Sequence, residues 1–179
     1  MKQIDIIENL PKIMSELKKG VLLNTQYNGE LNTMTISWGQ IGMKWGKMFF
    51  TVYIRHGRYT HKLIDGSKEF TISIPKERIK VAKILGYCGS KSKRQTDKIK
   101  DMNLTVVKGI SVNSPAIKEL PITIECKMIY HQEPEVENIP KEIRENCYPQ
   151  DVPSTDSATN RDYHTVYYGE IVNAYTLDE

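Results

Sequence analysis

The sequence predicts a mainly β protein with a few short helices, its strands rolled into a barrel. Three observations lead there. Strand-like segments rich in β-branched and aromatic residues outnumber segments with helical spacing, which favours a barrel over a doubly wound sheet. Asn28-Gly29, set between two such segments, is a strong hairpin signal. At 179 residues the chain holds one well-buried core and is short for two, so one domain is expected over 1–179.

In chain order, spaced apolar residues predict a short helix over 4–17, with Gly20 as its stop. A strand begins at Val21, and after the Asn-Gly turn residues 31–38 alternate. Met34, Ile36 and Trp38 fall on one face there, and Thr33, Thr35 and Ser37 on the other. A strand over 48–55 breaks at His56-Gly57-Arg58, and a short helix over 59–65 follows, with Thr60 near its start and Gly66 at its end. A strand over 69–74 is closed by Pro75. Ile79, Ala82 and Leu85 mark one helical face that ends near Gly86, and a polar loop over 87–96 leads to a short helix stopped around Asn103. Strands over 104–107, 122–130 and 164–174 complete the set. The proline-rich, acidic stretch 133–160 reads as an excursion or flap.

Bulk properties exclude several classes. The 39% hydrophobic and 26% charged content is that of a soluble globular protein. A net charge of +3, from 25 basic and 22 acidic residues, is too small to argue for nucleic-acid or membrane binding. No stretch approaches the roughly 18 apolar residues that span a bilayer, and the N-terminal residues lack the apolar run of a secretory signal. The three cysteines form no C-x-x-C pair, and reduced thiols in a cytoplasmic protein are the simplest account.

Three stretches hold candidate binding residues. The row Thr33, Thr35, Ser37 spaces hydroxyls at about 7 Å along one strand face. It suits a long polyhydroxylated ligand, and equally a solvated face of good β formers. Arg55-His56-Gly57-Arg58-Tyr59-Thr60-His61 sets two arginines and a hydroxyl where a strand passes into a helix. A helix start carries free N–H groups and partial positive charge, so phosphate is a natural guest there, although a turn with solvated charges has the same composition. Gly86-Tyr87-Cys88-Gly89-Ser90-Lys91-Ser92-Lys93-Arg94 has the makings of a phosphate-cradling nest or of a flexible basic loop, and does not satisfy the P-loop pattern. Trp38 and Trp45 suit either a core or a wall for a flat ring. Cys126 reads as a packed residue. The spacing of His56 and His61 matches no zinc pattern, so no metal site is expected. The absence of G-x-G-x-x-G after any strand argues against a Rossmann nicotinamide site.

The ordered set of motifs resembles the flavin reductase-like, flavoredoxin-type family. It comprises Asn32-Thr33-Met34-Thr35-Ile36-Ser37-Trp38, then Ile54-Arg55-His56-Gly57-Arg58-Tyr59-Thr60, Phe70-Thr71-Ile72-Ser73-Ile74-Pro75 and Cys88-Gly89-Ser90-Lys91-Ser92. Asp97-Lys98, Pro115-Ala116-Ile117, Ile124-Glu125-Cys126-Lys127 and Tyr168-Gly169-Glu170-Ile171-Val172 continue it over nearly the whole chain. The resemblance implies a split β-barrel that binds flavin mononucleotide (FMN), usually as a homodimer with the flavin near the subunit interface. It implies Thr33, Thr35 and Ser37 at the ring edge and ribityl chain, and Arg55, Arg58, Thr60, Ser90, Lys91 and Ser92 at the phosphate. Met34, Trp38, Tyr59, Cys88 and Gly89 complete the cofactor set. Two positions depart from the family pattern: Gly57 stands where a serine is common, and Lys93 where a glycine is common.

The expected function is therefore that of an FMN flavoprotein whose ring does the redox chemistry, with no catalytic side chain. The leading reading is an NAD(P)H-dependent flavin reductase, with NADH or NADPH docking transiently on the flavin. The alternative is a non-enzymatic electron carrier serving a redox protein. Nucleic-acid binding through the basic residues of 91–100, which Asp97 interrupts, is a distant third.

Overall fold

The computed structural model describes residues 1–152 and 160–177, so part of the expected excursion, 153–159, lies outside the described residues. A two-residue strand β1 (Lys2–Gln3) precedes helix α1 (Ile6–Lys19). Asp5 opens that helix by accepting from the N–H groups of Ile7 and Glu8, at 2.7 and 3.0 Å, and Gly20 ends it by donating to the Leu17 carbonyl. Ile6, Ile13 and Leu17 form its buried face. Strands β2 (Val21–Tyr27) and β3 (Glu30–Ile36) pair through the Asn28-Gly29 turn, both residues at positive φ as a tight hairpin requires. The strand stops at Ile36, short of the expected 38.

β4 (Gly39–Lys44) and β5 (Lys47–Arg55) form a second hairpin, of which the sequence reading sees only the second strand. Its turn is Trp45-Gly46, at φ 52° and 71°. Tryptophan in that region costs roughly 1–2 kcal/mol, so no turn pattern announces it. Edge contacts of the Trp45 ring with Phe49 and Tyr130, at 5.9 and 6.2 Å between centroids, offset that cost.

Helix α2 (Tyr59–Ser67) runs past Gly66 and is closed by Lys68 in the left-handed region. After β6 (Glu69–Ile74), helix α3 (Arg78–Ser90) corrects the expected stop at Gly86: Tyr87, Cys88, Gly89 and Ser90 are its last turn. Tertiary contacts hold that turn against glycine propensity. Cys88 is buried with Leu22, Leu85 and Leu104, and Thr35 Oγ1 donates to the Leu85 carbonyl at 2.6 Å. Helix α4 (Lys98–Asp101), a short ladder of β7 (Val106–Val107) with β8 (Ala116–Ile117), and β9 (Ile122–Gln132) follow. Within the excursion, a 3-10 turn (Val136–Asn138) and α5 (Lys141–Cys147) form despite the prolines that argue for loop. β10 (His164–Thr176) ends the described chain.

The main sheet is antiparallel, ordered β3-β2-β6-β9-β10-β5-β4, with β1 on β10. Its core includes Leu23, Ile36, Phe50, Ile54, Phe70 and Ile124, all at most 5% exposed. Each such side chain contributes about 1.5–3 kcal/mol by leaving water. The two edge strands, β3 and β4, are joined by Ser37 and Trp38 alone, so the sheet curls until its edges meet without hydrogen-bonding to one another. Among the described residues no helix is long and apolar enough to cross a membrane.

Candidate functional site

A groove follows β3 to the seam between the two sheet edges. It consists of a narrow cavity of about 70 Å³ and a wider one of about 240 Å³, which share Met34, Thr35 and Arg58.

The narrow end is cationic. Arg58, Lys91, Lys93 and Lys98 line it, with the hydroxyl-bearing Thr60 and Ser92. Two helices end there with opposite polarity. α2 begins at the cavity, which Arg58, Tyr59 and Thr60 line, and its cap residue Arg58 makes no side-chain cap bond, so the partial positive charge of the helix start is not met by a side-chain cap. α3 finishes there, and its carbonyls would repel an anion. Two of them are engaged, Leu85 by the Thr35 hydroxyl and Cys88 by the buried Lys98 ammonium at 3.0 Å, which also donates to the Thr33 carbonyl of β3 at 2.9 Å. Burial brings the Lys98 pKa down to about 8 and pushes the Cys88 thiol up to about 11, so Cys88 is no nucleophile near neutral pH.

The wide end is aromatic. Trp38, Tyr53 and His164 line it with Ser37 and Arg55. Trp38 and His164 meet at 4.9 Å between ring centroids. His164 Nδ1 lies 2.9 Å from the Tyr148 hydroxyl. Burial, with Arg55 and Arg58 nearby, holds its pKa down to about 3, so this imidazole is neutral. Arg55 donates to the carbonyls of Cys147, Asn160 and Asp162 and lies over the Tyr148 ring, which ties the excursion to the groove.

The structure thus gathers most of the expected residues, in two groups. Met34, Thr35, Arg58, Tyr59, Thr60, Cys88, Gly89, Lys91 and Ser92 line the narrow end; Ser37, Trp38 and Arg55 line the wide one. Arg55, expected at phosphate, sits with the rings. Thr33 is buried and lines neither cavity, and Ser90 turns its hydroxyl onto the Gly86 and Tyr87 carbonyls. The hydroxyl row is accordingly not a free face. Sequence reasoning missed Asn32, Lys93, Lys98, Tyr53 and His164 as lining residues. Lys98 stands in the quoted Asp97-Lys98 pair, a usable signal. His164 is placed by its register opposite Arg55 across β10 and β5, which no local pattern reveals.

Both departures from the family pattern have structural answers. The Gly57 N–H donates to Asp162 Oδ2 at 2.7 Å, and a Cβ at Gly57 would collide with that carboxylate. The loop 91–96 contains no residue at positive φ, so Lys93 in place of glycine adds no backbone strain. Arg94 holds the loop by donating to the Gly57 carbonyl at 2.7 Å.

The donor set fits FMN at both ends. A phosphate matches the cations and the helix start, and a flat ring matches the aromatic walls. Asn32 Oδ1, buried at the narrow cavity without a hydrogen-bond partner among the described residues, is an acceptor that a ribityl hydroxyl would satisfy.

An open antiparallel sheet wrapped on its core, with a groove at its seam, defines a split-barrel protein. The flavin reductase like domain profile matches residues 14–179, and the chain belongs to the flavin reductase-like family. It is similar to the flavoredoxin of Desulfovibrio vulgaris (Miyazaki F), at 24% identity and a TM-score of 0.66, over 89% of this chain and 69% of that one. An FMN-binding protein from Thermus thermophilus is similar at 15% identity and a TM-score of 0.64, over 88% and 69% of the two chains. An uncharacterized protein of Archaeoglobus fulgidus is 32% identical over 98 residues, 55% of this chain and 54% of that one. The chain spans between half and two thirds of the length of the curated relatives it matches.

Proposed function

We propose that the chain binds FMN in this groove and acts as an FMN-dependent oxidoreductase that takes electrons from NADH or NADPH. The observation that carries the reading is the polarity of the groove, cationic at the start of α2 and aromatic at the seam. In this reading Arg58, Lys91, Ser92 and Thr60, with the first N–H groups of α2, hold the phosphate. Asn32, Met34 and Thr35 run along the ribityl chain, and Ser37, Trp38 and His164 border the ring. Bound FMN supplies hydride and electron transfer; the protein supplies orientation, electrostatics and access.

At about 70 and 240 Å³, the two cavities together only just reach the lower end of the range of drug-sized ligand sites, about 300–1,000 Å³, which is consistent with a second copy of the chain completing the pocket as a homodimer. A cytoplasmic setting belongs to the same reading, supported by three free cysteines. The test is reconstitution with FMN, then anaerobic mixing with each nicotinamide in a stopped-flow instrument. A flavin spectrum at one FMN per chain, bleached within seconds by NADH or NADPH, is expected. Bleaching by a reduced redox protein but not by nicotinamide would replace the reductase with the electron carrier. No bound flavin would end both.

A further inference from the structure

Outside the groove, the two histidines that bracket Gly57, Arg58, Tyr59 and Thr60 meet a carboxylate from elsewhere in the chain. His56 lies in the turn before α2, its N–H held to the Tyr163 carbonyl at 3.2 Å, and His61 lies in the first turn of the helix. Glu133 is the residue after β9. One ligand atom from each of the three lies within 4.8 Å of the others.

Their partners orient them. His56 Nε2 is 2.7 Å from Glu133 Oε2, and His61 Nε2 is 2.9 Å from Thr165 Oγ1, which in turn is 2.8 Å from Glu133 Oε1. Behind His61, Nδ1 is 3.2 Å from Asp65 Oδ2, and the Tyr167 hydroxyl donates to Asp65 Oδ1 at 2.9 Å. A metal-binding histidine usually gives its outer N–H to a carboxylate, which fixes the tautomer and aims the other nitrogen's lone pair. Asp65, itself held by Tyr167, stands in that position behind His61 as an ion-pair partner and favours the proton on Nδ1. With the proton on Nδ1, Nε2 is an acceptor, and so is Glu133. The single hydroxyl proton of Thr165 cannot serve both. A cation between His61 Nε2 and Glu133 removes that conflict.

We propose that His56, His61 and Glu133 form a mononuclear site for a divalent transition metal of the zinc type, with one coordination position open to solvent. Two imidazoles and a carboxylate are a ligand set that zinc accepts, and metal–ligand bonds of about 2.0–2.2 Å in a tetrahedron place ligand atoms roughly 3.3–3.6 Å apart. The 2.7 Å pair must therefore spread and the widest pair draw in. The side chains of His56 and Glu133, 48% and 56% exposed, have room to do so. The sequence reading finds no zinc spacing because the third ligand comes from the far end of β9. Bound metal would clip the start of α2 to the point where the 133–160 segment leaves the sheet.

The site is independent of the flavin reading, and its test uses no flavin. Untagged full-length chain carrying Cys147→Ser, which removes the one cysteine that is not buried, is stripped with chelator. It is then titrated with Co²⁺, followed by its visible absorption, and with Zn²⁺ in competition with a chromogenic chelator. One equivalent bound with micromolar or tighter affinity is expected. Glu133→Gln should weaken it at least tenfold, and His56→Ala and His61→Gln a hundredfold or more. His131→Ala should leave it unchanged. Circular dichroism verifies folding, and the exposed His56 and Glu133 keep the test open if His61→Gln fails to fold. Uptake only at millimolar metal, affinity within twofold of the parent in His56→Ala and Glu133→Gln, or loss of binding in His131→Ala would each overturn the proposal.

Discussion

The narrow and the wide end of the groove share residues but are built in opposite ways. At the narrow end the cations are supplied by short contiguous stretches, Gly57 to Thr60 and Lys91 to Lys98, and two of the opposing helix carbonyls are engaged locally. At the wide end, Arg55 spends its guanidinium on two carbonyls of the excursion and on that of Asp162 just beyond it, and Trp38, Tyr53 and His164 arrive from three separate segments. One end is electrostatic and local; the other is shape, assembled over long range. The two should therefore respond to different perturbations.

The largest expected effect comes from removing the phosphate from the ligand. At least two charge-assisted hydrogen bonds, each worth about 1.5–3 kcal/mol, are lost with riboflavin, so FMN should bind about a hundredfold more tightly. Flavin fluorescence quenching measures both constants, and equal affinities would erase the distinction between the ends. Next in size, Lys91→Ala should weaken FMN about tenfold and leave riboflavin unchanged. Arg55→Ala, acting through the excursion and the ring walls, should weaken both flavins by the same factor. A selective loss of FMN in Arg55→Ala would move Arg55 to the phosphate end.

The smallest effect reads the narrow end without ligand. Lys98 has a pKa near 8 in the fold and regains its ordinary value, 10.5, on unfolding. Above pH 8 the unfolded chain thus holds the extra proton, and stability rises with pH. Cys88, raised from 9.0 to about 11, acts with the opposite sign above pH 9. The net gain is confined to between about pH 8 and 9 and amounts to about 1 kcal/mol, measurable as a rise in the urea midpoint. FMN should shrink it, because an anion beside Lys98 keeps the ammonium charged in the fold. A flat profile without FMN would place Lys98 in a well-solvated setting.

Much of this was legible in the sequence wherever the determinants are local. The Asn28-Gly29 hairpin, the Gly20 stop and the strand ending at Pro75 follow from backbone preferences. So does the junction of β5 with α2, and with it the location of Arg58, Tyr59 and Thr60. What failed was decided by tertiary contact. Gly86 did not end α3, because Cys88 packs beneath it and Lys98 and Thr35 bind its carbonyls. Of the hydroxyl row, Thr33 is buried, and Thr35 lines both cavities with its hydroxyl given to a carbonyl of that helix. His164 and Glu133 reach their neighbours through strand register and a β9 terminus, and sequence spacing carries neither.

The junction of β3 with β4 has a mechanical consequence. Elsewhere around the sheet, neighbouring strands are held by ladders of backbone hydrogen bonds, and separating them means breaking several bonds at once. No such ladder joins these two strands, which are linked by the dipeptide Ser37-Trp38 and by side-chain packing in the shared core. The cleft at Trp38 can therefore change width without breaking a strand ladder. A flat ring seated there would meet a gap able to adjust by rotation about that dipeptide, while the cationic end is fixed by helix termini and the buried Lys98.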